Sequence, residues 1–152
     1  MAKIHAYLNF NGNCAEAFSF YEGVFNTKNV GIYKMGDMPP MEGAPAIPDS
    51  AKEKVMHTAL FINETTMIMG SDVVPEFGHQ YQAGNNVYVM LDTETAEEAK
   101  SIYEKLSVNA QRMEMPLGEQ FWAELYASFA DQFGINWMIH FEGNKAQKCE
   151  DE

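Results

Sequence analysis

The chain has 152 residues, close to half of them apolar, and a formal net charge of −12. That composition suits one globular domain with a real core rather than a disordered chain. It argues against nucleic acid as a partner, because surplus carboxylates repel phosphate, and no apolar run approaches the ~20 residues of a membrane span. The N-terminus, MAKIHAYLNF, lacks the pattern of a signal peptide. Cys14 and Cys149 make no disulfide framework, so a cytoplasmic protein is expected.

In chain order, Lys3–Phe10 alternates, with Ile4, Ala6, Leu8 and Phe10 on one face and His5, Tyr7 and Asn9 on the other. Such alternation marks a half-buried strand. Asn13 precedes Glu16 by three residues, the spacing of a capping box. Ala17, Phe20, Tyr21, Val24 and Phe25 then fall on one helical face. Strands are expected at Val30–Met35, Val55–Asn63 and Thr65–Gly70, the last two joined by a turn at Asn63-Glu64. Gly36–Lys54 interrupts them and holds four of the six prolines. A loop of that length is either a lid or a surface excursion. Ser71–Gly84 joins the halves and carries Pro75, Gly78 and His79, the last taken as exposed.

The second half repeats the first. Val87, Val89 and Leu91 oppose Asn86, Tyr88 and Met90 on a strand. Thr95 precedes Glu98 by three residues, and Ala99, Ile102, Tyr103 and Leu106 form a helical stripe. Strands follow at Asn109–Met115, Phe121–Phe129 and Asn136–Phe141. Trp137, Ile139 and Phe141 should pack under a helix, and Gly134 should serve a turn. Glu16, Ala17, Ser19, Tyr21 and Glu22 recur as Glu98, Ala99, Ser101, Tyr103 and Glu104, 82 residues on. One supersecondary unit is therefore used twice. The fold class is α+β, with two βαβββ modules at 1–71 and 84–142 inside one domain, a linker at 72–83 and a polar tail at 143–152.

The segments Tyr7–Phe25, Lys54–Ile62, Ala83–Leu91, Met115–Tyr126 and Asp131–Glu142 carry a resemblance over nearly the whole chain. They are similar to the vicinal-oxygen-chelate superfamily of glyoxalases, bleomycin-resistance proteins and dioxygenases, and most of all to its PhnB-like branch. The resemblance implies a curved, barrel-like eight-stranded sheet around a central cup, helices outside, and a homodimer. It also implies a divalent metal held from the first and fourth strands of each module. Those positions fall at His5, Met69, Asn86 and Met138. One match in four favours no metal, since thioethers are weak ligands for hard divalent ions. A set of His5, His140 and Glu124 stands as the alternative that keeps a divalent cofactor open. Some relatives carry a ubiquinone-pathway methyltransferase label, but no Gly-rich strand-to-helix turn is present here.

The chain has eleven methionines. Met67, Met69, Met90 and Met138 fall on the faces assigned to the cup, where flexible thioethers give an adaptable apolar lining. Tyr7, Asn9, Asn86, Tyr88, Trp122 and Glu124 would add sparse polar and aromatic contacts, as in small-molecule sites. His57 reads either as a hydrogen-bonding group at the cup or as an anchor for the long loop. Cys14 reads as a packing residue, although a helix start can lower a thiol pKa. The favoured function is small-molecule binding without the usual divalent metal. The alternative is a metal-dependent lyase, isomerase, transferase or dioxygenase with an altered ligand set, and the third is an interaction protein with a vestigial cup. Whether any reaction is catalysed stays open.

Overall fold

The structure, a computed structural model, describes residues 1–146. Among them are eight strands and two α-helices in the order βαβββ, twice. The chain divides between Gln82 and Ala83 into two compact units, each taken by itself below. Cys149 and most of the polar tail lie outside the described residues.

In module one, β1 (Ala6–Phe10), α1 (Cys14–Phe25), β2 (Asn29–Lys34), β3 (Val55–Phe61) and β4 (Met67–Asp72) follow one another. The sheet order is β1-β4-β3-β2, with β1 parallel to β4 and the other pairs antiparallel. One face is covered by α1. Leu8 and Phe10 from β1 and Leu60 and Ile68 from β3 and β4 are buried under Ala17, Phe18, Tyr21 and Val24. Phe18, not the expected Phe20, is fully buried; it packs edge-on against Phe10 and Tyr21, with ring centroids 6.1 and 5.7 Å away. The helix comes so close that a Cβ on Gly70 would sit 2.5 Å from the Phe18 ring. Glycine is required there by the approach of another element rather than by its own backbone angle.

The expected cap at Asn13 is not formed by its side chain. Asp72, buried at the end of β4, does that work from a distance in sequence. One carboxylate oxygen accepts from the Cys14 N–H at 3.0 Å and the other from the Val55 N–H at 2.9 Å. A single acid thus ties the start of α1 and the start of β3 to the end of β4. The β4 strand lies two residues later than expected because Asn63 draws Thr65 and Thr66 into its turn, its side-chain oxygen accepting from both backbone N–H groups at 2.9 and 2.8 Å. Ile4 is exposed and precedes β1.

The long Gly36–Lys54 segment is folded at both ends. Single 3-10 turns form at Met35–Asp37 and Asp49–Ala51. The Met35 and Gly36 N–H groups donate to Lys54 and Lys52 carbonyls at 2.8 and 2.9 Å. Met35, Ala51 and Val74 form a small satellite core, with Met38, Ile47 and Met56 packed on it. Val74 comes from the expected linker, whose Pro75–Phe77 turn folds back on module one; Glu76 there accepts from Ser50 and Lys54 at 3.0 and 3.2 Å.

In module two, β5 (Val89–Asp92), α2 (Ala96–Leu106), β6 (Arg112–Gln120), β7 (Ala123–Ala130) and β8 (Asn136–Phe141) form a sheet of order β5-β8-β7-β6. The Thr95 hydroxyl caps α2 as expected, accepting from the Glu98 N–H at 3.1 Å. Trp137 and Ile139 are fully buried on the helix side with Ala99, Leu106 and Phe129. The Trp137 indole N–H donates at 2.8 Å to the buried carboxylate of Asp131, which also holds the turn containing Gly134 (φ 87°).

Three boundaries differ here. Asn86 lies in an exposed bend before β5, because Asn136 donates its amide to the Gly84 and Val87 carbonyls in place of a strand ladder. The β6 strand begins at Arg112, since Asn109 adopts the left-handed region at φ 55°. It runs past Pro116, which an edge strand with shifted register tolerates. Finally, Phe121-Trp122 does not open β7. These two residues are the tight turn between Gln120 and Ala123, and Phe121 is 88% exposed.

Candidate functional site

Module one leaves the face opposite α1 open. Strand parity puts Tyr7 and Asn9 of β1, Met67, Met69 and Ser71 of β4, His57 and Phe61 of β3, and Tyr33 of β2 on it. Register sets Tyr7 beside Met69, Met69 beside Ala59, and Tyr33 beside His57. The Tyr7 and His57 rings lie 5.9 Å apart at 31°. His5 precedes the strand and sits next to Met67, whose backbone N–H donates to His5 Nδ1 at 3.3 Å. In that contact Nδ1 is the acceptor.

At the C-terminal ends of β1 and β4 this face opens into a pocket of about 540 Å³. Tyr7, Asn9, Ser71 and Asp72 line it from the two strands, and Met35 and Met56 of the satellite core line it too. Phe77, His79 and Gln80 from the returning linker complete the lining. His79 is exposed as expected, yet it belongs to the pocket. Sequence reading placed Tyr7 and Asn9 here and missed the rest. Met35 and Met56 flank the long loop, and the pairing of β2 with β3 brings them together.

Module two carries a polar network on its open face. The Tyr88 hydroxyl donates to Glu114 at 2.6 Å, the Ser128 hydroxyl donates to the same carboxylate at 3.3 Å, and Arg112 lies 3.5 Å from it. The Tyr88 hydroxyl bond, aided by the Arg112 charge, holds the Glu114 carboxyl below its ordinary pKa, and the same bond pushes the Tyr88 phenol up. Arg112 also donates to Asn136 at 2.8 Å. Glu114 and Arg112 lie within the strand expected at Asn109–Met115, but their partners Tyr88 and Asn136 are distant in sequence. The two residues already alternate there as open-face charges.

Met90 pairs with Met138 and Asp92 with His140 across β5 and β8, so all four share this face. His140 Nδ1 lies 2.9 Å from the Asp92 carboxylate. Trp122 packs edge-on to Tyr126 at 5.4 Å, and Tyr126 pairs with His140. The Glu124 side chain is close-packed against Gly143, where a Cβ would come within 2.9 Å of its carboxylate.

The metal positions implied by the resemblance hold one imidazole, two thioethers and an amide. Asn86 is outside its strand, and the position beside His5 is Met67 rather than Met69. His5 has its Nδ1 lone pair engaged by the Met67 N–H. These residues do not fit a hard divalent ion, which requires imidazole and carboxylate donors with free lone pairs. Among the described residues, no three His, Cys, Asp or Glu side chains gather as metal ligands. Cys14 is fully buried, and burial, with the Asp72 charge, pushes its thiol up to about 12. It is a packing residue.

Two βαβββ modules with a mixed four-stranded sheet each define an α+β fold of the vicinal-oxygen-chelate class. A family profile described as 3-demethylubiquinone-9 3-methyltransferase matches residues 2–140. The chain belongs to that family, the PhnB-like branch of the superfamily. It is 33% identical to protein PA1353 of Pseudomonas aeruginosa, over 93% of this chain and 98% of that one, with a TM-score of 0.80. A Bacillus cereus PhnB protein, described as a putative 3-demethylubiquinone-9 3-methyltransferase, is 24% identical over 92% and 99%, with a TM-score of 0.68. The fosfomycin resistance protein FosX of Listeria monocytogenes shares the fold at 11% identity over 97% and 95%, with a TM-score of 0.61.

Proposed function

We propose that this protein binds a small molecule in the module-one pocket without a hard divalent metal. The pocket is the observation that carries the reading. Its volume of about 540 Å³ suits a compound of drug-like size. Its walls pair thioethers and aromatic rings with a few polar groups, Asn9, Ser71 and Gln80, that can fix orientation. No lysine or arginine lines it, and a chain of net charge −12 attracts cations at long range. The ligand is accordingly neutral or cationic, with an apolar or aromatic body. The protein works as a cytoplasmic homodimer.

Methyl transfer, the activity in the family description, finds little support in these residues. The chain has no Gly-rich strand-to-helix turn of the kind that holds a nucleotide-like cofactor.

Calorimetry and thermal shift against a panel of cationic and neutral aromatic compounds test the proposal. At least one should bind with micromolar affinity, and Phe77→Ala and Met56→Ala should each weaken it about tenfold. Failure of every pocket-sized compound to bind, or binding untouched by both substitutions, would overturn it. Manganese, nickel or zinc required for binding would overturn its metal-free part.

A further inference from the structure

We propose that the open face of module two is a site for a soft monovalent cation, Cu(I) or its analogue Ag(I). The ligands are the Met90 and Met138 thioethers and the Nε2 of His140.

Donor chemistry comes first. Thioethers bind hard divalent ions poorly but are good ligands for Cu(I), and imidazole complements them. The same substitution of sulfur for carboxylate that makes this face unsuitable for manganese or magnesium makes it suitable for a soft ion. Register supplies the juxtaposition. Met90 and Met138 are direct partners across the parallel pair β5 and β8, with the strands about 4.8 Å apart. His140 lies two residues along β8 on the same face, about 7 Å from Met138 along the strand. Three rotatable bonds let each methionine sulfur swing toward a common point. Met90 is 54% exposed, so an ion can reach it without the sheet opening.

Asp92 supplies the third element. Its carboxylate lies 2.9 Å from His140 Nδ1 and engages that nitrogen, which leaves Nε2 as the ring nitrogen to offer a ligand. Carboxylate-oriented imidazoles are the usual form of a metal-ligating histidine. The contrast with module one is informative. His5 also sits beside a methionine, Met67, but its Nδ1 is engaged by a backbone N–H rather than by a carboxylate. Of these two histidines, His140 is the one with the carboxylate partner usual for a metal-ligating imidazole. Asp92 also puts a negative charge beside the bound cation.

The test uses the full chain carrying Cys149→Ser, so that a free thiol does not bind the probe. Ag(I) is titrated directly, and Cu(I) is titrated anaerobically against a coloured competing chelator. One equivalent should bind at micromolar or tighter affinity. Met90→Leu and Met138→Leu, which keep side-chain volume, should each weaken it at least tenfold, and His140→Gln should weaken it more. Asp92→Asn should cost roughly 10- to 100-fold through the imidazole alone. Met41→Leu, in the exposed loop of module one, should change nothing. Methyl NMR should show the Met90 and Met138 ε-methyl signals moving on Ag(I) addition, with far-UV circular dichroism confirming that each variant is folded. No stoichiometric binding would overturn the proposal, and so would tight binding indifferent to Met90→Leu and Met138→Leu.

Discussion

Replacing Asp72 is the sharpest test of how the module-one pocket is held open. The residue is 5% exposed and joins three elements through one carboxylate. In Asp72→Ala the Cys14 and Val55 N–H groups lose their partner in a dry environment, where Cys14 and Val55 are themselves buried. An unsatisfied buried donor costs about 1–3 kcal/mol, so two should cost about 2–6 kcal/mol. Loss of negative charge at the start of α1 adds about 0.3–1 kcal/mol. Against a typical domain stability of 5–15 kcal/mol, that loss moves the urea midpoint a long way. Asp72→Asn keeps one acceptor and turns an N–H₂ toward the other donor, so it should lose about half as much. Urea unfolding followed by circular dichroism measures both. A loss below about 0.5 kcal/mol in Asp72→Ala would refute the view that this carboxylate clamps the fold.

Other outcomes follow from neighbouring contacts. Gly70→Ala should lose about 1–3 kcal/mol by forcing the Phe18 ring aside, whereas Gly84→Ala, whose Cβ would meet Asn86 Oδ1 at an ordinary 3.6 Å, should be near neutral; thermal melts compare them. Thr95→Ala should lose about 1 kcal/mol by removing the α2 cap, while Asn13→Ala should lose far less because its side chain makes no cap bond. Cys14 should resist alkylation at pH 8 in the native protein and react only on unfolding, as mass spectrometry would show. Its folded pKa of about 12 exceeds the ordinary 9.0, so its stabilising contribution is complete below pH 9 and declines as pH rises toward 12. Cys14→Ala should accordingly flatten the alkaline limb of stability against pH. Glu114 has the opposite sign. Its lowered pKa contributes stability above the ordinary carboxylate range that is lost on acidification, and Glu114→Gln should remove a few tenths of a kcal/mol at neutral pH, given its exposure.

Much of the architecture was legible because burial writes a period into the chain. Alternation in Lys3–Phe10 and the stripe Ala99–Leu106 each report a single covered face, and the recurrence of Glu16–Glu22 as Glu98–Glu104 reports that the same unit is built twice. Two of the misses share a physical origin: side chains from distant elements took over local roles. Asp72 replaced Asn13 as the cap of α1. Asn136 bonded the carbonyls before β5 and shortened that strand. Phe121-Trp122 looked like strand residues by composition, yet they turn the chain. The candidate site was less legible for the same reason. Tyr7, Asn9 and the methionine faces follow from parity, whereas Met35, Phe77 and His79 meet only after a linker folds back. Asp92 acquires meaning only once strand register sets it against His140, and Glu114 only once the fold brings it to the Tyr88 hydroxyl.

The connection between β2 and β3 corresponds to the connection between β6 and β7, and the two are built very differently. The second needs only Phe121-Trp122, while the first departs at Met35 and returns at Lys54, paired there by a 2.8 Å backbone bond. Because exit and re-entry points adjoin, the excursion behaves as an appendage grafted onto an intact hairpin. Its length can change at little entropic cost to the sheet beneath. Evolution, or an engineer, can therefore rebuild the packing behind Met35 and Met56, and with it one side of the module-one pocket, by exchanging this one appendage. The shorter hairpin in the same chain already gives the template for removing it.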